Sequence, residues 1–409
     1  MYSLQKGVVD EVQDLLTVGS SLIVSLPAFA SLDPYLQIRP RVEFVDDGVV
    51  DKTDNGEDDT ENALAVTTKV ALGVKIPKTL GLENLMTHIE FVHVGSFARD
   101  YNSTSAAGNN DGEYAVVIDP PLTRVTQAYL SYSINPRTTV TAGRKLLALD
   151  DHRFVGTVGW RQMPQSFGLV ELKYQDGNGF IQFDYLYERL GIKDEFNRLY
   201  KKGSLLLHGL YKVVPAFNLS LFHYQIEDAH DTSGVKITGD AASLHYELTY
   251  AVQKDPSRTE NEVEIDADFV EVDLGYKVGS GQIKANYYVL GKAKGETEKG
   301  FATPLATLHK FEGWSDTMLG FAAGGNPLGL QVASFGGNLK TSRGTFGAFY
   351  LKYDSVDDSQ DYGSEIDVVF TNKIKPNLTL QVKGAAYSKG DASPSDDVTK
   401  AWLMLTAKI

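Results

Sequence analysis

The chain has 409 residues, a formal net charge of −14, 38 glycines, 21 tyrosines, 19 phenylalanines and no cysteine. The missing cysteine excludes disulfides and thiolate metal sites, and the acidic balance excludes a nucleic-acid partner, whose binder carries a basic footprint. Past the N-terminus no run of about 18 apolar residues occurs, which excludes helical membrane spans but not a barrel, whose alternating strands average out to a soluble-looking hydropathy.

The first element is the apolar stretch LLTVGSSLIVSLPAFA, which closes on Ala28-Phe29-Ala30 and fits a secretory signal peptide over 1–30, with cleavage after Ala30. Lys6 is the only base before it, and Asp10, Glu11 and Asp14 oppose that base, so an amphipathic first helix is the alternative reading. Residues 31–409 then form one unit. The acidic run from Asp46 to Glu61 misses the EF-hand pattern, because Thr53 and Asn62 fall at the third and twelfth positions counted from Asp51, and it is expected to be a solvated loop.

From Leu32 onward the pattern has period two. Leu64, Val66, Val70, Leu72, Val74 and Ile76 share one face of a strand while Thr67, Lys69 and Lys75 share the other. Ile181, Phe183, Tyr185 and Tyr187 likewise oppose Gln182, Asp184 and Glu188, and Leu244, Tyr246, Leu248 and Tyr250 oppose His245, Glu247 and Thr249. Strands are expected over 32–45, 64–77, 85–97, 121–134, 138–148, 166–175, 179–190, 203–214, 217–227, 233–240, 243–253, 264–278, 280–292, 328–338, 343–353, 362–374, 378–388 and 398–409. The phase slips near Phe269 and Val270, where a bulge is expected.

Three proline-asparagine connections, INPRTT, VVPAFNLS and IKPNLT, read as tight reversals and fall at the same end of the strands. The other end carries longer polar loops. The fold expected is all-β: a transmembrane antiparallel β-barrel of about 18 strands, with short periplasmic turns and long extracellular loops. The last strand places Ala401, Leu403, Leu405, Ala407 and Ile409 on one face, and departs from the aromatic end common in bacterial outer-membrane proteins.

Two loops are loaded with charge and aromatic rings: the one from Leu149 to Gln165, and the longest, which carries Trp314 among Lys310, Glu312 and Asp316. Disordered loops avoid aromatics, so both are expected to fold into or across the mouth. His152, His208, His223 and His245 are scattered without metal-ligand spacing, and no serine is marked as a nucleophile. Neither a metal, a cofactor nor an enzymatic activity is expected.

The segments GRKLLALDDHRFVGTVGWRQ and TPLATLHKFEGWSD, with a weaker likeness in SGVKITGDAASLHYELTYAVQ, resemble the alginate export family of outer-membrane barrels. The resemblance implies an 18-stranded barrel gated by its loops, with a basic constriction that passes an anionic polyuronate. On the matching positions, Arg144, Arg153 and Arg161 become candidate basic pore residues.

The inward faces read from the alternation hold Arg39, Arg41, Lys69, Lys75, Arg124, Lys212, Lys284 and Lys383, but also Glu43, Glu90, Asp184, Glu188, Glu247, Asp266, Glu365 and Asp367. Strict alternation could instead turn Lys145 inward in place of Arg144. The candidate pore residues are Arg39, Arg41, Arg124, Arg144, Arg153, Arg161, Lys212, Lys284, Trp160, Lys310 and Trp314. The function expected is a passive outer-membrane channel for hydrophilic solutes, anionic or carbohydrate-like, with outer-membrane lipid, lipopolysaccharide and the outer-membrane assembly machinery as partners. A non-selective general porin is the alternative, and a secreted glycan-binding β-protein the alternative from another class.

Overall fold

The structure is a computed structural model that describes residues 32–47, 60–110, 112–259, 264–295, 297–357 and 359–409. The expected signal peptide and most of the acidic run after Asp46 lie outside the described residues. Eighteen strands follow one another: β1 Asp33–Asp46, β2 Ala63–Pro77, β3 Leu85–Asp100, β4 Leu122–Asn135, β5 Thr138–Lys145, β6 Ser166–Gln175, β7 Gly179–Leu190, β8 Arg198–Val214 and β9 Phe217–Ile226. The second half comprises β10 His230–Ala241, β11 Leu244–Lys254, β12 Ala267–Val278, β13 Gly281–Leu290, β14 Leu330–Thr341, β15 Gly344–Asp354, β16 Asp361–Lys375, β17 Leu378–Lys389 and β18 Val398–Lys408. All pair antiparallel with their chain neighbours, and β1 also pairs with β18, so the sheet closes into a barrel.

The period-two pattern becomes the two faces of the wall. In β2, Ala63, Ala65, Thr67, Lys69 and Ala71 are buried inside, while Leu64 and Leu72 stand on the outside. Ile181, Phe183, Leu207, Leu221, Leu248, Ile283, Phe335 and Ile366 continue that apolar exterior around the barrel. So much exposed apolar surface suits hydrocarbon rather than water as the outer solvent.

The eighteen expected strands are all present, and the largest boundary difference is the start of β8 at Arg198. The bulge expected at Phe269 and Val270 does not exist: β12 pairs in regular register with both β11 and β13. The apparent slip arises because the fully buried Phe269 points inward, where the guanidinium of Arg153 lies 4.9 Å from its ring centre. Bulges occur instead before the three proline turns, where the register shifts between Ser133 and Asn135, Lys212 and Val214, and Lys373 and Lys375. In each case the skipped residue (Ile134, Val213, Ile374) stands two positions before the proline and is exposed.

The inside is not an open tube. At the long-loop end, Phe167, Leu169, Leu186, Leu206, Phe222, Phe269 and Tyr288 of the wall pack against Leu147, Leu149, Phe154, Phe301, Leu305 and Met318 of two inserted loops in one buried cluster. Each such fully buried side chain contributes about 1.5–3 kcal/mol, so the inserted loops have a core of their own.

Candidate functional site

The inserted loops span 146–165 and 291–329 and behave as one body. Val155 bridges both Leu149 and Leu305, the Gly156 N–H donates to the Leu305 carbonyl at 2.8 Å, and the Gln165 amide donates to the carbonyls of Gly156 and Leu305. Asp150, Asp151 and His152 take φ of 48°, 57° and 71° in succession, left-handed conformations that cost energy unless the surroundings enforce them. Here they do: Asp150 accepts from the Tyr224 hydroxyl at 2.5 Å, and Asp151 pairs with Lys310.

Two anchors fix this body to the wall. The first is Arg153, almost wholly buried, which pairs with Glu312 at 3.1 Å and Glu271 at 3.4 Å and lies 3.9 Å from the Tyr288 ring centre and 4.3 Å from that of Phe311. Burial pushes the Glu312 carboxyl up from its ordinary range, with Arg153 opposing the shift. The second anchor is Arg161, which joins Glu43 of β1 at 3.1 Å to Asp316 of the long loop at 2.7 Å. Asp316 also takes Lys400 of β18 at 3.2 Å and His309 at 2.7 Å. Although burial opposes it, these groups hold the Asp316 carboxyl well below the usual carboxylate range, Lys400 first among them.

The aromatic part of the second anchor gathers all three tryptophans of the chain around one cation. Lys383 of β17 lies 3.9 Å from the ring centre of Trp160, 3.6 Å from Trp314 and 5.3 Å from Trp402, and its Nζ meets His309 Nε2 at 2.8 Å. The Trp160 ring stacks on His309 at 4.5 Å. Burial, aided by Lys383, pushes the His309 imidazole down to about 3.

Below the loops, the β1 arginines hold the chain that hangs over them. Arg39 donates to the Gln162 side chain and to the carbonyls of Gly159, Trp160 and Arg161, and Arg41 donates to the Trp160 carbonyl and pairs with Asp119 and Glu43. Directly opposite Arg39 in the β1–β2 ladder stands Lys69. Lys69 is 8% exposed, and neither it nor Arg39 forms an ion pair among the described residues. Across the lumen a cavity of about 320 Å³ is lined by Glu247, Glu271, Asp273, Asp367, Lys284 and Trp314, and Asp367 leaves Oδ1 without a hydrogen-bond partner.

The remaining sequence candidates scatter. Arg124 faces inward and binds the Gly191 carbonyl and Asp194, Lys212 stands exposed at the short-turn end of β8, and Lys310 is paired with Asp151 at the loop surface. Arg144 is a correction. Ala128, Arg144, Gly168 and Glu188 lie in one row across β4 to β7, and that row belongs to the outer face. Arg144 therefore pairs with Glu188 outside the wall at 3.1 Å, and Lys145 turns inward to Glu171 at 2.6 Å. Glu188 leaves the inward list with it, through the register shift between Leu186 and Glu188. Asp266 leaves the list too: it precedes β12 and pairs with Lys254 at the strand ends. Asp119, His309, Lys400 and Trp402 were not singled out in the sequence, because each acquires its partner from a distant segment.

A closed antiparallel barrel with a charged interior narrowed by its own loops has the architecture of a porin. Among solved structures it is similar to OpdO of Pseudomonas aeruginosa, at 12% identity and a TM-score of 0.67 over 93% of this chain and 97% of that one. It is also similar to OccAB1 of Acinetobacter baumannii, at 13%, 0.69, 94% and 98%, and to a BenF-like porin of Pseudomonas fluorescens Pf-5, at 12%, 0.70, 93% and 100%. No family model matches the chain, and no curated protein matches it. The likeness therefore establishes the fold, that of outer-membrane porins, and narrows the alginate-export resemblance to that architecture.

Proposed function

We propose that the protein is an outer-membrane channel for small hydrophilic solutes, with a preference for those bearing a carboxylate. The observation that carries this reading is Lys69 standing opposite Arg39 inside the lumen, both buried and neither ion-paired. Like charges facing each other across a ladder repel, and a carboxylate in transit beside the Lys69 ammonium relieves them. The likeness to alginate exporters adds anionic carbohydrates to the solutes to be tried.

The test is reversal potential in planar bilayers under a salt gradient. The wild-type barrel is expected to prefer anions, and Lys69→Gln to weaken that preference, most clearly at low ionic strength where screening is slight. A barrel that inserts but never conducts would overturn the reading. A non-selective porin is the second reading, favoured by the carboxylates of Glu247, Asp273 and Asp367 in the opposite cavity; it requires equal permeability to both signs. Heat-modifiable migration separates either channel from a soluble β-protein.

A further inference from the structure

We propose that the lumen has, at its short-turn mouth, a binding site for compact multivalent anions, oligophosphates and tricarboxylates, whose occupancy from the periplasm obstructs passage; the inference rests on the channel argued above. The nine even-numbered strands run down to that mouth, and seven of them carry an inward-facing lysine within their last three residues. Five stand on successive even strands: Lys277, Lys340, Lys373 and Lys408 on β12, β14, β16 and β18, then Lys75 on β2. Lys173 on β6 and Lys212 on β8 extend the ring, which is broken at β4 and β10. The ladders fix their faces. Lys277 pairs with Gln282 and shares the face of Glu271 and Asp273, and Lys373 shares that of the buried Asp367. Lys408 pairs with Gln37, two residues below Arg39, and Lys173 with the buried Gln182.

The wall leaves this ring unneutralised, in a chain of net charge −14. The ladder partners of the seven lysines are Thr, Gln and Asn, apart from Asp33 and His88 opposite Lys75. None of the seven forms a salt bridge among the described residues. The second carboxylate at these strand ends, Asp240, is taken by His245 at 3.2 Å. Lysines on alternate strands stand about 9–10 Å apart, twice the strand spacing. No two of them grip one carboxylate, and a single exposed ammonium holds a monovalent anion only weakly. A molecule with several charges engages several of these flexible side chains at once, each further contact being intramolecular. The spacing matches the screening length of about 10 Å at 0.1 M salt, so the lysines act jointly in dilute salt and singly in strong salt. Deeper in, Asp273 stands four residues above Lys277 and Asp367 six above Lys373. A multivalent anion seated on the ring meets those carboxylates and lodges there, because passage requires binding weak enough to release. A monocarboxylate, held by one lysine at a time, moves on toward Lys69.

The test measures binding of tripolyphosphate to the full chain in phosphatidylcholine nanodiscs by titration calorimetry. Saturable binding is expected in dilute salt and should weaken as salt is raised, while acetate shows none. The variant Lys277→Gln, Lys340→Gln, Lys373→Gln, Lys408→Gln should bind about thirtyfold more weakly, four exposed contacts each worth a factor of roughly two to three. Lys340→Gln alone should show one such factor. Lys375→Gln, at the same end but in the outer row of Leu378 and Ala407, should bind as the wild type does. Heat-modifiable migration confirms that each variant has folded. In planar bilayers tripolyphosphate should block current at a lower concentration from the periplasmic side than from the other. Orientation is read from Asp391→Cys, labelled at the long-loop end by an impermeant thiol reagent, since the chain has no cysteine of its own. No saturable binding, binding unchanged in the lysine variants, or equal block from both sides overturns the site. A barrel that binds the anion but never conducts overturns the channel instead, which is a different failure.

Discussion

The ammonium of Lys383 lies 3.6 Å from the centre of the Trp314 ring. One residue belongs to a wall strand and the other to the long loop of 291–329, so this contact ties the loop to the barrel. Cation–π contacts strengthen when desolvated, to about 2 kcal/mol, and here Lys383 is 6% exposed with two further indoles around it.

Lys383→Met should loosen the inserted loop. Because the chain has three tryptophans and all three ring this lysine, intrinsic fluorescence reports the cage with no background. A red-shifted emission together with raised single-channel conductance is expected. Unchanged emission would mean that the loop is held by the ion pairs alone.

Acidification should loosen the same anchor. His309 sits near 3 inside the fold against about 6.5 when free, and Asp316 lies well below its ordinary value. Both folded-state values are depressed, so the unfolded or released loop binds more protons than the docked one. The docking is therefore complete above about pH 6.5 and is lost as pH falls from there toward 3. Limited proteolysis within 291–329 should be faster at pH 5 than at pH 8, and His309→Gln should flatten the dependence; equal cleavage at both pH values would refute it.

Arg161→Gln should cost stability more than it changes selectivity. It takes one partner from each of Glu43 and Asp316, both buried, leaving Glu43 with Arg41 and Asp316 with Lys400 and His309, and breaking a buried pair costs at most about 3–5 kcal/mol. A lowered temperature for the loss of heat-modifiable migration, with reversal potential close to wild type, is expected. A large change in reversal potential at unchanged stability would instead make Arg161 a contact of the solute.

Phe183→Arg and Leu248→Arg should impair insertion, at about 2–4 kcal/mol near the bilayer midplane. Both side chains stand on the exposed outer face. Ser334→Arg, which points into the cavity beneath the loops, should insert normally. Comparable folding yields in lipid vesicles for all three would contradict the assignment of faces.

The barrel was legible because alternation is a local signal. Residues such as Leu64 and Lys69 declare their faces within a single strand, and the proline turns mark the reversals. What alternation could not show is where one residue is skipped. The register shift beside Leu186 turned Glu188 outward, and Arg144, in the same row, followed it. Phe269 misled in the other direction, since an aromatic facing inward looks like a slip until Arg153 is seen above it. The anchors were illegible for a different reason. Arg153 meets Glu312 across 159 positions and Arg161 meets Asp316 across 155, and no nearby pattern encodes partners so far apart.

The seam between β1 and β18 has a kinetic meaning. Leu36 and Ile409 exchange two backbone hydrogen bonds there, each 2.8 Å long, so the two ends of the described chain meet at the short-turn end. Every other strand can pair with the strand made just before it, but this pair must wait until all the rest are in order. Until then the growing sheet has two raw margins, each a row of unsatisfied amides that water can cover and hydrocarbon cannot. The half-built molecule is thus barred from the bilayer interior, and entering the membrane and joining the first strand to the last must be nearly the same event.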